Sequence, residues 1–146
     1  MDTSHHIACP HCNTANRVES ARLADEPKCG KCKQPLFTAH PITLTDGNFA
    51  DHVERGSLPV VVDFWAPWCG PCQSMAPHFE RAAAELEPQF RLAKLNTDES
   101  PKTSLRHRIR SIPTLILFRD GKEVARQAGS MDARAIATWV RSAAGV

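Results

Sequence analysis

Over the first 38 residues no apolar run exceeds two or three positions before Pro35-Leu36-Phe37, whereas from Ala39 onward apolar positions recur in two rhythms. Short β-branched and apolar runs mark strands covered on both faces, and apolar positions three to four apart mark helices. Ile42–Leu44, Val60–Trp65 and Leu92–Leu95 are therefore predicted strands, and Thr114–Phe118 and Glu123–Arg126 flank Asp120-Gly121 as an antiparallel hairpin. Thr45 is placed to cap a helix reaching about Glu54. Further helices are expected from near Pro71 to Leu86, kinked at Pro77, over Pro101–Arg108, and over Asp132–Ala144, where Ile136, Trp139 and Val140 stand at helical spacing. The order β-α-β-α-β-α-β-β-α belongs to the α/β class.

The change in pattern divides the chain into residues 1–38 and residues 39–146. The first unit is too poor in apolar residues to offset the entropy lost in ordering it, and it requires a staple.

Charge changes this picture little. Lys and Arg number 18 against 16 Asp and Glu, interspersed, for a formal net charge of +2, without the basic excess of a dedicated nucleic-acid binder. In the first unit Arg17, Arg22, Lys28, Lys31 and Lys33 sit among Asp2, Glu19, Asp25 and Glu26, too weak a field to favour nucleic acid. Met1–Ile7 carries no basic leader followed by an apolar stretch, and no later segment is apolar for long enough to span a bilayer. The expectation is a cytoplasmic monomer with neither a nucleic-acid nor a membrane partner.

Cysteine changes the picture more. All six cysteines fall in Cys-x-x-Cys pairs, Cys9/Cys12, Cys29/Cys32 and Cys69/Cys72. In a chain without an export signal such pairs point to metal binding or redox chemistry rather than to a secreted disulfide framework. The first two pairs are separated by sixteen residues, within the spacing of a structural zinc site built from four thiolates. One Zn2+ held by Cys9, Cys12, Cys29 and Cys32 would supply the missing staple, with Gly30 suiting the turn of the second knuckle. The competing reading is two disulfides or free dithiols, the former disfavoured in a reducing compartment. His5, His6 and His11 are alternative ligands that four cysteines make unnecessary.

The third pair stands elsewhere, after a buried strand and at the start of a helix, in Trp68-Cys69-Gly70-Pro71-Cys72. Disulfide exchange needs a thiolate, and a free cysteine with a pKa of about 8.5 supplies only a few per cent at neutral pH. Unpaired N–H groups and the positive end of a helix dipole stabilise that anion at Cys69. Cys72 lies one turn on, within disulfide reach. Gly70 is expected to allow a tight turn, Pro71 to stiffen it and Trp68 to cover the apolar side of the site. Cys69 then reads as the exposed attacking thiolate and Cys72 as the resolving thiol.

The run Val61-Val62-Asp63-Phe64-Trp65-Ala66-Pro67-Trp68-Cys69-Gly70-Pro71-Cys72, with Ile112-Pro113-Thr114 downstream, resembles the thioredoxin family over residues 40–146. The resemblance implies a thioredoxin fold, a central mixed sheet flanked by helices, preceded here by a small zinc ribbon as in zinc-containing bacterial thioredoxins of the thioredoxin 2 type. It implies that Asp63 is the buried carboxylate that takes a proton from the second cysteine, a role suited to an acid whose pKa burial raises. It implies that Lys94 faces this aspartate, although its residue type alone reads equally as a solvent-exposed strand position. Pro113 corresponds to the family's cis-proline opposite the cysteines, and the Ile112 backbone to the edge that pairs with substrate. Gly129 aligns with a glycine of the docking surface, or is a plain loop glycine. Pro67 departs from the acidic or charged residue frequent there, which removes one charge near Cys69. The implied partners are disulfide-containing client proteins and a thioredoxin reductase that uses NADPH and flavin.

Two readings of another class remain open. The ribbon is either an adaptor for a protein or nucleic acid, or a sensor whose thiolates release the metal on oxidation.

Overall fold

A computed structural model describes residues 4–146. Met1, Asp2 and Thr3, which entered the reading of leader and charge, lie outside the described residues.

The N-terminal segment folds around a hairpin that its polar sequence does not announce. Strand β1 (Ser4–Ala8) pairs antiparallel with β2 (Ala15–Glu19), Ile7 opposite Asn16 and Ala8 opposite Ala15. Its apolar core is small: Ile7, Val18, Leu23 and Leu36 pack with Cys9 and Cys29, and Leu58 from the following segment completes the cluster.

The rest of the chain forms a five-stranded sheet of β3 (Ile42–Leu44), β4 (Val60–Trp65), β5 (Arg91–Asn96), β6 (Thr114–Arg119) and β7 (Lys122–Ala128), in the order β3-β5-β4-β6-β7. Strands β3, β5 and β4 run parallel, and β6 and β7 are antiparallel, so the sheet is mixed as expected. Helices α1 (Gly70–Leu86), α2 (Pro101–Arg106) and α3 (Ala133–Ala144) accompany it.

Strand β4 is central, and its alternating side chains enter two cores. Val61 joins Met75, Phe79 and Leu86 of α1 and Ile136 and Val140 of α3. Val60, Val62 and Phe64 pack with Ile42, Leu44, Phe49, Ile116 and Phe118 on the other face. Asp63, two positions from Val61, therefore points to the helical face.

Two predicted helices are shorter than expected. Thr45 Oγ1 does accept from the N–H groups of Gly47 and Asn48, at 3.2 and 3.3 Å, but the chain then winds through turns into a single π-helical turn, Ala50–Glu54. That winding buries Phe49 and Val53 against the sheet while His52 turns toward the N-terminal segment. Helix α2 stops at Arg106 because His107 Nδ1 donates to the Thr103 carbonyl at 2.9 Å and Arg108 takes a left-handed φ of 54°.

Other local expectations on the described residues are met in their element bounds and turns. Helix α1 continues through Pro77, and Asp132 caps α3 by accepting from Ala135 N–H at 2.8 Å. Arg119 pairs with Lys122 across Asp120 and Gly121, whose φ angles of 52° and 78° make the tight hairpin turn. No helix among the described residues is long and apolar enough to cross a membrane.

Candidate active site and metal centre

The chain leaves β4 at Trp65, and Cys69 N–H returns to the Ala66 carbonyl at 3.2 Å, which sets the loop ahead of α1. Cys69 is the N-cap of α1, with extended backbone, and Pro71 in the first turn has no N–H to leave unsatisfied. Cys69 and Cys72 are joined as a disulfide with a Cα–Cα distance of 5.2 Å. Cys72 N–H donates to Cys69 Sγ at 3.2 Å. Once the bond is reduced, that N–H and the helix terminus point at a Cys69 thiolate and favour its charge.

Two expectations are corrected here. In the oxidised pair Cys69 is 5% exposed and Cys72 3%, so the attacking cysteine does not stand out by exposure; Ala66, Trp65 and Ile112 cover both. Gly70 has ordinary backbone and nothing within 4 Å of the place a Cβ would occupy, so the turn is made before it, over Ala66–Cys69, and Gly70 leaves open surface. Trp68 stands at the surface beside the pair in sequence. It is 72% exposed, and its Nε1 donates to Asp98 Oδ2 at 3.0 Å. Asp98 escaped sequence reasoning. Its signal is a carboxylate just past the end of β5, where parallel pairing sets Asn96 beside Trp65.

The second wall comes from the start of β6. Pairing of Phe64 with Thr114 brings Ile112 and Pro113 to the cysteines, and the Ile112 carbonyl oxygen lies 3.7 Å from Cys69 Sγ. The Ile112–Pro113 bond is cis. Gly129 N–H donates to the Pro113 carbonyl at 2.9 Å, and Gly129 holds a φ of 99°, which favours glycine. Gly129 thus stands beside Pro113.

In the strand that leads to the cysteines, Asp63 pairs in register with Lys94. Asp63 is 1% exposed, and burial pushes its carboxyl up to about 7 against the opposing pull of Lys94. Its Oδ1 has no hydrogen-bond partner among the described residues. Lys94 is half-buried, its Nζ 4.6 Å from the centre of the Trp65 ring.

The other four cysteines converge in the N-terminal segment, all their Sγ atoms within 4.8 Å of one another. Cys9 and Cys32 sulfurs are 3.5 Å apart, and those of Cys12 and Cys29 3.7 Å. A tetrahedron with Zn–S bonds of about 2.3 Å has sulfur–sulfur edges of about 3.8 Å, so the residues fit such an ion. The knuckles repeat one geometry. Asn13 and Lys33 N–H donate to the Cys9 and Cys29 carbonyls at 2.8 and 2.9 Å, while His11 and Lys31 N–H donate to the Cys9 and Cys29 sulfurs at 3.3 and 3.4 Å. The left-handed residues are Asn13 and Lys33. Gly30, expected to make the second turn, instead has ordinary backbone and donates its N–H to Asn16 Oδ1 at 2.9 Å. Without a cation the site is electrostatically uneven: burial pushes the Cys9 thiol up to about 12, while the Cys32 backbone N–H helps hold Cys29 down to about 6.

Contacts from the sheet side hold this centre. Arg91, 3% exposed, donates to the Leu36 carbonyl at 2.8 Å and lies over the Phe37 ring at 4.8 Å. His52 Nε2 meets Asn13 Oδ1 at 2.8 Å, and burial depresses its pKa to about 4, leaving it neutral. His6 N–H donates to Ser57 Oγ at 2.7 Å. None of these contacts was legible in the sequence.

Comparison with known proteins agrees with both centres. The family pattern described as Thioredoxin matches residues 40–142, and that described as Thioredoxin 2, N-terminal, matches residues 8–34. Thioredoxin C-3 of Corynebacterium nephridii is 41% identical over 134 residues, 92% of each chain. Thioredoxin 1 of Synechococcus elongatus is 46% identical over 88 residues, 60% of this chain and 82% of its own. The thioredoxin of Rickettsia prowazekii is 39% identical over 97 residues, 66% of this chain and 92% of its own. With a redox-paired Cys-x-x-Cys capping a helix behind a central strand, opposite a proline loop and preceded by a four-cysteine knuckle pair, the chain belongs to the thioredoxin family.

Proposed function

We propose that the chain reduces disulfides of client proteins through Cys69 and Cys72 and is itself re-reduced by a flavin-containing, NADPH-dependent thioredoxin reductase. The observation that carries this reading is the Cys69–Cys72 disulfide at the N-terminus of α1, with the Ile112 carbonyl 3.7 Å from Cys69 Sγ. The Cys69 thiolate attacks one sulfur of the client disulfide, whose S–S bond breaks as the other client sulfur leaves as a thiolate. Asp63, poised near neutrality by burial, takes the Cys72 proton. Cys72 then attacks Cys69 Sγ, the mixed disulfide breaks, and the second client thiolate departs. Two electrons have passed to the client, and the reductase returns them.

In this reading Lys94 keeps the Asp63 proton exchangeable, and Trp68, Gly70, Pro71, Ile112, Pro113 and Gly129 form the client surface. Residues 1–38 form the ribbon and residues 39–146 the catalytic domain of a cytoplasmic monomer. Cys9, Cys12, Cys29 and Cys32 hold one Zn2+ whose contribution is structural, since four thiolates leave no open coordination position.

Turnover with insulin as client tests this. Cys69→Ser should abolish reduction, whereas Cys72→Ser should accumulate mixed disulfides visible on non-reducing gels. Undiminished turnover in the Cys69→Ser variant would sink the reading.

A further inference from the structure

We propose that Arg108 and Arg110 form a specificity surface for clients with acidic residues flanking their disulfide, a refinement that rests on the disulfide-reductase reading. The chain as a whole is nearly balanced, yet residues 100–119 contain Lys102, Arg106, Arg108, Arg110 and Arg119 and no Asp or Glu. This stretch leads directly into Ile112, whose carbonyl lies 3.7 Å from Cys69 Sγ. Two residues span at most about 7 Å. Any segment that brings a disulfide to Cys69 along Ile112 must therefore pass the reach of the Arg110 side chain.

The local structure keeps these two charges available. Arg106 is engaged by Glu54 at 3.2 Å. Arg126 is engaged by Glu123 at 2.7 Å, and its guanidinium also donates to the His107 carbonyl at 2.8 Å and the Arg108 carbonyl at 3.4 Å. Asp98 is committed to Trp68. Arg108 and Arg110 are both exposed and have no ion pair among the described residues. Arg108 moreover keeps a left-handed φ of 54°, a conformation that costs a residue with a side chain about 1 kcal/mol. Arg126 pins the carbonyls on both sides of that bend, so the backbone from which the Arg108 side chain projects is held in place.

The shape beside them suits an extended chain. A shallow cavity of about 640 Å³ runs between Arg108, Arg110, Ser111, Thr114 and Gln127, and a second of about 580 Å³ lies on the α2 side, between Leu105, Ile109 and the same two arginines. Leu105 is 81% exposed there. Cations on a ridge between two grooves, with an apolar residue at one side, complement a segment that alternates carboxylates with apolar side chains. Such a field raises the encounter rate of acidic partners and repels basic ones.

The test uses the full-length zinc-loaded protein and three substrates: neutral 2-hydroxyethyl disulfide, and two matched peptide disulfides with three Glu or three Lys around one cysteine. The wild type should reduce the Glu peptide with a kcat/KM at least about tenfold above the Lys peptide at low salt, and the ratio should fall toward one as salt screens the field. Arg108→Glu/Arg110→Glu should invert the ratio, and Arg108→Lys/Arg110→Lys should keep it. The ratio is internal to each preparation, so a partly inactive variant still reports it, and the salt series needs no variant. A wild-type ratio near one at low salt, with the neutral disulfide reduced, overturns the specificity surface alone. Failure to reduce any of the three substrates overturns the reductase reading and the surface with it.

Discussion

Arg91, the first residue of β5, donates a 2.8 Å hydrogen bond to the Leu36 carbonyl fifty-five positions earlier in the chain. A second guanidinium N–H lies 3.5 Å from the Ala8 carbonyl, immediately before Cys9 of the four-cysteine cluster. One buried cation from the catalytic sheet therefore holds the backbone on either side of the four-cysteine centre. Glu87, its neighbouring carboxylate, has its pKa raised to about 7 by burial, a rise that Arg91 restrains.

Replacing Arg91 by Met keeps the volume and removes the donors. Each carbonyl left buried without a partner costs about 1–3 kcal/mol. The variant should release zinc to a chelator at least about tenfold faster than wild type, with Arg91→Lys in between, while its reduced Cys69/Cys72 pair still turns over insulin. Release followed with a zinc-sensitive dye measures this. Wild-type release from Arg91→Met would show that the ribbon holds its metal unaided.

Metal removal should unfold one part of the chain and spare the other. Among the described residues Cys9 and Cys29 occupy the core of the ribbon with Ile7, Val18, Leu23, Leu36 and half-buried Phe37 as its own apolar residues, too little to order about 35 residues. Treatment with chelator and reductant is expected to abolish amide protection in β1 and β2 and leave β3 to β7 protected, as read by hydrogen-exchange mass spectrometry. Persistent protection of β1 and β2 would remove the metal from its role as staple.

Asp63 links folding stability to pH. Its folded pKa of about 7 lies above the value near 4 expected of the unfolded chain. The unfolded chain thus releases this proton first, and stability is lost as pH rises from about 4 to 7, by at most on the order of 4 kcal/mol. Asp63→Asn should exceed wild type in urea-unfolding stability at pH 8 by a few kcal/mol and match it at pH 4. An equal stability difference at both pH values would mean that Asp63 is not held protonated.

Asp98 sets the posture of Trp68. With the 3.0 Å hydrogen bond removed in Asp98→Ala, the exposed indole is expected to move more freely, lowering its fluorescence anisotropy. Stability should fall by no more than about 1 kcal/mol, since the bond is solvent-exposed. Reduction of a protein client should slow several-fold, and that of a small disulfide should not. Equal slowing of both would place Asp98 in the chemistry rather than in client contact.

Most of the redox centre is legible from short stretches of chain. The β-branched run through Val60–Trp65, the proline after Cys69 and the spacing of three cysteine pairs each act over one or two turns, where strand covering, helix capping and ligand reach are decided locally. The same holds for Asp120-Gly121 and for the cap at Asp132. The segment after Thr45 misled because its cap chemistry is local but its winding is not: Phe49 and His52 are drawn to opposite partners, one in the sheet and one in the ribbon.

By itself, then, the sequence determined the fold class, the identity of the working cysteines and the four metal-binding sulfurs, all properties of neighbours along the chain. Only the tertiary structure decided how these parts meet. Trp68 with Asp98, His52 with Asn13 and Arg91 with Leu36 are separated by 30, 39 and 55 positions. Such pairs depend on which strands lie side by side and on where the loops between them are brought. The pairing of Asp63 with Lys94 is likewise a matter of register between β4 and β5; a slip of one residue would turn one of the two to the opposite face. Packing of the whole sheet selects that register, because no local preference distinguishes it from its neighbour.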